Sequence, residues 1–242
     1  MGVIGLSGER VTEIERVDTG VPGFDEIVGG GLPRPSAILL AGNPGTGKTT
    51  LAGQIAYHRA TRHGERFFYM TLSEPADQIR LHFRLLGMDL HELEERKLAT
   101  FQELMPFTAP TEYVRTALEN MIARVESAKP DLLVVDSVSA MLQFLPPEQV
   151  RPLLSMIVRI THEVGMLTLL IAELPMLGPV RLSGVEEFIA DGLIILRHEE
   201  TREGLTTRIN VVKLRLSRHS REHYGVAITG SGFIVLGPMR LE

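Results

Sequence analysis

Apolar runs alternate along this chain with stretches of helical spacing, the pattern that parallel strands covered by helices produce. Ser36 to Ala41 (SAILLA) is unbroken by polar positions, as a strand buried on both faces would be. A glycine-rich turn follows at once, and Lys48 to Arg62 then carries apolar residues at helical spacing. Arg66 to Leu72 predicts a second strand, and Ala76 to Leu86 a helix that Gly87 would end. A weaker strand is expected near Lys97 to Phe101 and a helix over Thr111 to Val125. Asp131 to Asp136 (DLLVVD) predicts a third strand, Glu148 to Val164 a strongly periodic helix, and Leu167 to Ala172 another buried strand.

After Ala190 the texture changes. Gly192 to Arg197, Leu205 to Leu216, Tyr224 to Ile228 and Phe233 to Leu236 read as strands separated by Gly, Ser and charged turns, which suggests a final antiparallel extension of the sheet. No linker, low-complexity stretch or internal repeat interrupts residues 1–242, so one domain is expected, with residues 1–18 as an N-terminal segment suited to contacts between subunits. The fold class is α/β: a mostly parallel sheet, helices on both faces, and an antiparallel C-terminal extension.

Composition narrows the function. The 242 residues are 44% hydrophobic and 23% charged, ordinary for a soluble globular protein. The net charge of −5 offers no basic footprint for general nucleic-acid affinity. Cysteine is absent, so no thiolate can act as nucleophile or ligand. The N-terminus lacks a basic region followed by an apolar stretch, and the greasiest segment, Met166 to Leu177, is broken by Glu173 and Pro175. A cytoplasmic protein without membrane association is expected. The eight histidines include His219 and His223, but no accompanying carboxylate or cysteine forms a metal-like set with them, and surface positions are expected. The acidic run from His91 to Lys97 reads as a solvated helix face.

The turn after the first strand reads Gly42, Asn43, Pro44, Gly45, Thr46, Gly47, Lys48, Thr49, Thr50, which satisfies the phosphate-loop pattern G-x-x-x-x-G-K-[ST]. Gly45, Thr46 and Gly47 would let backbone N–H groups converge on a phosphate, and the helix beginning at Lys48, Thr49 and Thr50 adds the positive end of its dipole. Lys48 supplies a point charge for the β- and γ-phosphates, and Thr49 a hydroxyl for Mg²⁺. The setting between a predicted strand and a predicted helix is the context the motif requires, so nucleotide binding is expected.

Asp136 ends an apolar strand, where a Mg²⁺-holding carboxylate belongs; a helix cap is the alternative for an Asp in that position. Glu74, just past the second strand, would orient or deprotonate the attacking water, or simply open the next helix. Lys213 and Arg215 lie two apart on a predicted strand and so share a face, aimed at an anion or forming a solvated edge.

Taken together these residues resemble the KaiC family within the RecA superfamily of P-loop ATPases. The likeness extends from Thr19 to Leu241. It rests on the opening segment Thr19 to Pro33 (TGVPGFDEIVGGGLP), the stretch Gly184 to Gly192 (GVEEFIADG), the K-x-R region of Lys213 and Arg215 with Ser217, His219 and Tyr224, and the closing Gly237 to Leu241 (GPMRL). The resemblance implies a RecA-like core, ATP as ligand, and a ring, usually a hexamer of identical chains, with nucleotide bound between subunits. Lys213 and Arg215 would then contact a neighbour's phosphates, with Ser217, His219 and Thr229 close by, and nucleotide state would govern assembly and the choice of a regulatory protein partner.

Three departures from the family pattern bear on activity. Ser73 stands where the family often has the first of two glutamates. Leu216 replaces a common glycine, so the chain after Arg215 is expected to run differently. Glu187 and Phe188 hold the positions, aligned through Asp191, at which the second domain of tandem clock proteins phosphorylates itself; ATPase activity without self-phosphorylation is expected. Two other readings compete: a RecA-like DNA-dependent ATPase and a nucleotide-binding regulator with little turnover. The stretches after Asp136 and Glu173, SVSAMLQFLPPEQV and LPMLGPVRLSG, hold a single basic residue, Arg181, and no aromatic platform for bases, which disfavours the DNA reading.

Overall fold

The computed structural model describes residues 3–4, 10–11, 14–104, 111–140, 145–175, 189–201 and 204–239. Its first elements are two short antiparallel pairs. Strand β1 (Val3–Ile4) pairs with β2 (Arg10–Val11), and β3 (Glu15–Val17) with β4 (Leu32–Arg34). Between β3 and β4 the chain forms the short helix α1 (Phe24–Ile27), whose Phe24 and Ile27 are buried. The Asp25 carboxylate accepts from the backbone N–H and the hydroxyl of Thr19, which pins this segment to itself.

The body is a nine-stranded sheet. Its central strands are β5 (Ser36–Gly42), β9 (Leu167–Glu173), β8 (Leu132–Asp136), β6 (Phe67–Thr71) and β7 (Ala99–Glu103), in that spatial order and all parallel. On the other side of β5 lie β10 (Gly192–Thr201), β11 (Gly204–Leu214), β12 (His223–Thr229) and β13 (Gly232–Met239). The antiparallel extension is formed by β11 to β13; β10, expected from sequence to open it, runs parallel to β5 instead.

Alternation of side chains on these strands builds two cores. Ile38, Leu40, Tyr69, Val134, Leu169 and Ile171 face α2 (Lys48–His63), α3 (Ala76–Leu85) and α4 (Leu90–Glu95). Leu39, Ala41, Met70, Val135 and Leu170 face α5 (Thr111–Ala128) and α6 (Pro147–Val164). Every residue of β5 is buried, because both faces carry helices and both edges carry strands, which accounts for its unbroken apolar sequence. The acidic run at 91–97 forms α4 over Leu90–Glu95: Glu92 and Glu95 are exposed as expected, but Glu94 is half-buried and accepts from Arg80, and Leu90 and Leu93 are buried. Among the described residues no helix is long and apolar enough to cross a membrane.

Leu216 has φ +61°. Leu216 thus takes the left-handed conformation that glycine adopts freely and a leucine resists. β11 stops at Leu214 and the chain turns there.

Candidate functional site

At the carboxyl end of β5 the chain passes into the loop Asn43–Gly47 and then α2. Gly45 has φ +78° and Gly47 φ +90°, values that side chains resist, so the glycines are required by the turn itself. A Cβ on Gly47 would lie 2.8 Å from Ile228 Cδ1 and 3.0 Å from the Phe233 ring, since the β12–β13 hairpin packs against the loop. Thr46 is buried and its hydroxyl donates to Asn43 O at 2.8 Å, fixing the loop from within. The Asn43 side chain donates to Pro175 O at 2.8 Å and accepts from the His198 N–H at 3.1 Å. His198 Nε2 lies 3.0 Å from Pro44 O. The loop is thus tied both to the end of β9 and to β10.

A cleft of about 340 Å³ opens over this loop. Lys48, Thr49 and Thr50 line it together with Ser73, Glu74, His82, Asp136 and Glu173. Lys48 Nζ donates to the carbonyls of Gly42 at 2.9 Å and Asn43 at 2.8 Å. Burial lowers the Lys48 pKa, opposed by the charges of Glu173 and Asp136. The Thr49 hydroxyl donates to Asp136 Oδ2 at 2.7 Å, and the Tyr69 hydroxyl to the same oxygen at 2.8 Å. Burial raises the Asp136 pKa, while these two hydrogen bonds act the other way. Tyr69 is fully buried, and burial with the adjoining Asp136 carboxylate pushes its phenol far upward, so it is a permanent donor.

Asp136 therefore has partners other than those of a helix cap, the alternative open from sequence. Glu74 is exposed at the rim of the same cleft. Helix α3 has Pro75 at its N-cap and Asp77 in its first turn, so Glu74 precedes the helix rather than opening it. Ser73 lies beside it: its hydroxyl is 2.9 Å from the Ser137 hydroxyl and accepts from the Ser137 N–H at 3.1 Å. The Thr50 hydroxyl sits 3.0 Å from His82 Nε2.

The residues expected to act between subunits divide. Thr229 ends β12 beside the cleft-lining Ile228, on the same side of the sheet as the phosphate loop. Lys213 and Arg215 are at the opposite end of the strands. Lys213 Nζ donates to Ala190 O at 2.6 Å, and the Arg215 N–H to Asp191 O at 3.0 Å. Asp191 in turn bonds Ala37 at the start of β5. Five residues of strand separate Ala37 from Gly42, about 17 Å at ~3.3 Å per residue. The Ser217 hydroxyl accepts from Arg16 at 2.7 Å and donates to Val28 O, tying the opening segment to β11. His219 Nδ1 lies 2.8 Å from Ser220 O in the same region. Arg181, Glu187 and Phe188 lie outside the described residues.

Sequence reading assigned no site role to Tyr69, His82, His198 and Glu173, and none to Asn43 beyond its place in the loop. Glu173 had a signal: it ends a buried strand beside β5 as Asp136 ends β8, and it pairs in register with Gly42. Tyr69 had none, since an aromatic in the run RFFYMTL reads as core.

Comparison with known proteins finds one family across nearly the whole chain. The family described as "ATPase: KaiC" matches residues 17–240. The circadian clock protein KaiC3 of Synechocystis is 31% identical over 234 residues, which are 93% of this chain and 46% of that protein. The chain thus spans about half the length of the curated clock proteins it matches. The UPF0273 protein of Aeropyrum pernix is 30% identical over 92% of this chain and 94% of its own length. The crystal structure of a KaiC-like protein from the archaeon Pyrococcus horikoshii superposes with a TM-score of 0.81 at 31% identity, covering 93% of this chain and 100% of the other. With a phosphate loop in its required strand–helix setting and a family match across nearly the full sequence, the chain belongs to the KaiC ATPase family and carries its ATP-binding P-loop.

Proposed function

We propose that this chain hydrolyses ATP with Mg²⁺ at the cleft over Asn43–Thr50, as a subunit of a ring, a hexamer of identical chains, in which a neighbour completes the site. The observation that carries the reading is the convergence of Lys48, the Thr49 hydroxyl and the Asp136 carboxylate on one cleft, with Thr49 and Asp136 in direct contact at 2.7 Å. A hydroxyl and a carboxylate are the hard oxygen donors that Mg²⁺ takes, so the residues fit the ion. When bound, Mg²⁺ neutralises phosphate charge that develops during transfer.

Each residue then has a role. Backbone N–H groups of Gly45, Thr46 and Gly47 bind the phosphates, with Lys48 on the β- and γ-phosphates and Thr50 at the start of the helix. Thr49 and Asp136 hold the ion. Glu74 orients the attacking water and accepts its proton; its carboxylate lies at the open rim, where a water can reach it. Ser73, in the place of a family glutamate, bonds Ser137, so the second carboxylate is replaced by a hydroxyl tie to the residue after Asp136.

Lys213 and Arg215 sit too far from their own phosphate loop to reach it, which favours action on a neighbour. With Ser217 and His219 they form a donor face, and Thr229 stands on the receiving side. A cation supplied in this way contributes roughly 10³–10⁵ in rate, so turnover depends on assembly. Nucleotide state then controls assembly and, through it, the protein partner presented with the ring, in the cytoplasm. No self-phosphorylation is expected at the positions of Glu187 and Phe188, where no hydroxyl is available.

The test is the solution mass by light scattering, with and without Mg²⁺ and a slowly hydrolysed ATP analogue, alongside turnover of wild type, Lys48→Ala and Glu74→Gln. A shift to a hexamer, and turnover that both variants abolish, is the expected result. A monomer under both conditions overturns the shared site. Wild-type turnover equal to that of Lys48→Ala overturns the ATPase and leaves a nucleotide-binding regulator.

A further inference from the structure

A second constellation lies near the far end of the phosphate-loop helix. His58 and His63 stand in the last two turns of α2, and Asp18 lies between β3 and α1. The histidines' carboxylate partner, Asp18, lies forty or more residues away in sequence. In the fold, Asp18 Oδ2 lies 2.6 Å from His58 Nε2 and 3.2 Å from His63 Nε2. The two imidazoles meet edge to face with centroids 5.6 Å apart. All three ligand atoms lie within 4.8 Å of one another.

We propose that Asp18, His58 and His63 bind a divalent cation of the zinc class through two imidazole Nε2 atoms and one carboxylate oxygen, leaving a fourth position to solvent. Two nitrogen donors exclude Mg²⁺ and Ca²⁺, which take oxygen, and suit Zn²⁺, Co²⁺ or Ni²⁺. Tetrahedral bonds of about 2.0–2.1 Å place ligand atoms roughly 3.3 Å apart. His63 and Asp18 already have that spacing, and His58 needs to open by less than about 1 Å. The side chains have room for it: their exposures are 23% for His58, 40% for His63 and 49% for Asp18, so the core is undisturbed.

The surroundings resemble the outer layer of a metal site. Arg59 takes Asp18 Oδ1 and so leaves Oδ2 directed at the histidines. Arg59 is itself held by Glu65, which also pairs with Arg34, and Arg34 with Glu15. Ligating carboxylates are oriented by such partners. Three carboxylates face two guanidiniums in this chain of ion pairs, an excess of one negative charge that a cation would offset. Gly20 makes the space: a Cβ there would lie 2.2 Å from the His58 ring, and φ is +66°. Ten residues of helix separate Lys48 from His58, about 15 Å. The cation would thus bind apart from the nucleotide, clamping the segment before α1 to the end of α2.

Absence of cysteine leaves no thiolate to compete, so Co²⁺ is a clean probe. The chelator-treated full chain is titrated with Co²⁺ and followed by its visible ligand-field absorption, then challenged with Zn²⁺. Intense bands of four-coordinate Co²⁺, saturating at a single equivalent and lost on adding Zn²⁺, are expected. His58→Gln and His63→Gln should each weaken the binding at least about tenfold, the loss that even outer partners can produce. Zn²⁺ should raise the melting temperature of wild type and not of the double variant. His91→Ala, on the exposed face of α4, should change nothing. Wild-type affinity no better than that of the double variant, or only the weak bands of hydrated Co²⁺, overturns the proposal. Anomalous scattering from Zn²⁺-soaked wild-type crystals decides the matter without variants: a peak between Asp18, His58 and His63 supports the site, and a peak only elsewhere, or none, overturns it. Nucleotide binding at the phosphate loop should persist in every variant.

Discussion

Tyr69→Phe isolates a single hydrogen bond in the core beneath the cleft. The ring is buried and stacks on Phe101 with centroids 5.2 Å apart, and phenylalanine reproduces that packing. What it removes is the donor 2.8 Å from Asp136 Oδ2, leaving the Thr49 hydroxyl at 2.7 Å as the donor on that oxygen. A hydrogen bond to a charged group contributes about 1.5–3 kcal/mol, and here the acceptor is a carboxylate whose burial already disfavours its charge. The variant should therefore unfold at a free energy about 1.5–3 kcal/mol below wild type. In a protein of this length that lowers the melting temperature by about 2–4 °C per kcal/mol.

A second consequence concerns the ion. With one donor gone the Asp136 carboxylate is less firmly aimed, and loss of such an orienting partner typically weakens a metal site about 10–100-fold. Mg²⁺-dependent nucleotide binding should shift to higher Mg²⁺ by that factor, while Mg²⁺-independent binding, which rests on Lys48 and the loop amides, stays near wild type. Denaturant unfolding and a Mg²⁺ titration of a fluorescent ATP analogue measure the two effects. Stability within about 0.5 kcal/mol of wild type, together with an unchanged Mg²⁺ midpoint, would refute the claim that this hydroxyl supports Asp136.

Three further outcomes are expected. Mixing Lys48→Ala and Arg215→Ala subunits in equal amounts should restore roughly a quarter of wild-type turnover, because random rings pair an intact loop with an intact arginine at that frequency; no recovery in mixed rings would place Arg215 outside the neighbour's site. Leu216→Gly should raise stability by up to about 1 kcal/mol in denaturant unfolding, since it relieves a left-handed leucine whose side chain is 67% exposed, and a loss of stability would show that the leucine is held by packing. Burial alone would raise the Glu65 carboxyl, but hydrogen bonds from Arg59 and Arg34 hold it at about 2, against an ordinary 4.5. Its stabilisation is present above about pH 4.5 and lost as pH falls from there through about 2, an acid loss of about 1–2 kcal/mol after solvent screening that Glu65→Gln should flatten.

How much of this was legible in the sequence follows from the range of the interactions involved. The strand β5, the loop and α2 are contiguous, so periodicity and the phosphate-loop pattern located them together, to within a residue at Gly42 and His63. Asp136 was legible because a carboxylate ending an apolar strand is unusual on local grounds. The direction of β10 was not, since a strand covered on both faces looks alike whether its neighbour runs with it or against it, and β5 lies some 150 residues earlier. The buried side of α4 was hidden because two leucines among five charges read as solvated. Tyr69 and the Asp18–His58–His63 group share one cause: each depends on partners brought together by the fold across forty or more residues, and no local pattern encodes that.

The two ends of the sheet also bear on assembly. The phosphate loop, Asp136 and Thr229 lie at the carboxyl end of the parallel strands, and Lys213, Arg215, Ser217 and His219 at the other, joined to β5 through Asp191 and Ala37. A neighbour that offers the second face to the first makes a head-to-tail contact, in which different surfaces meet. Such a contact cannot stop at two subunits without leaving one nucleotide cleft uncovered and one cation pair unused. Repeated, it closes into a ring or extends as a filament, depending only on whether the rotation between subunits closes. A symmetric two-fold dimer built on either end alone would instead place like faces together and bring no cation to any phosphate. Solution mass therefore distinguishes mechanism as well as size: a finite ring satisfies every cleft, whereas a stable dimer of like faces would require each subunit to turn over ATP without Lys213 and Arg215.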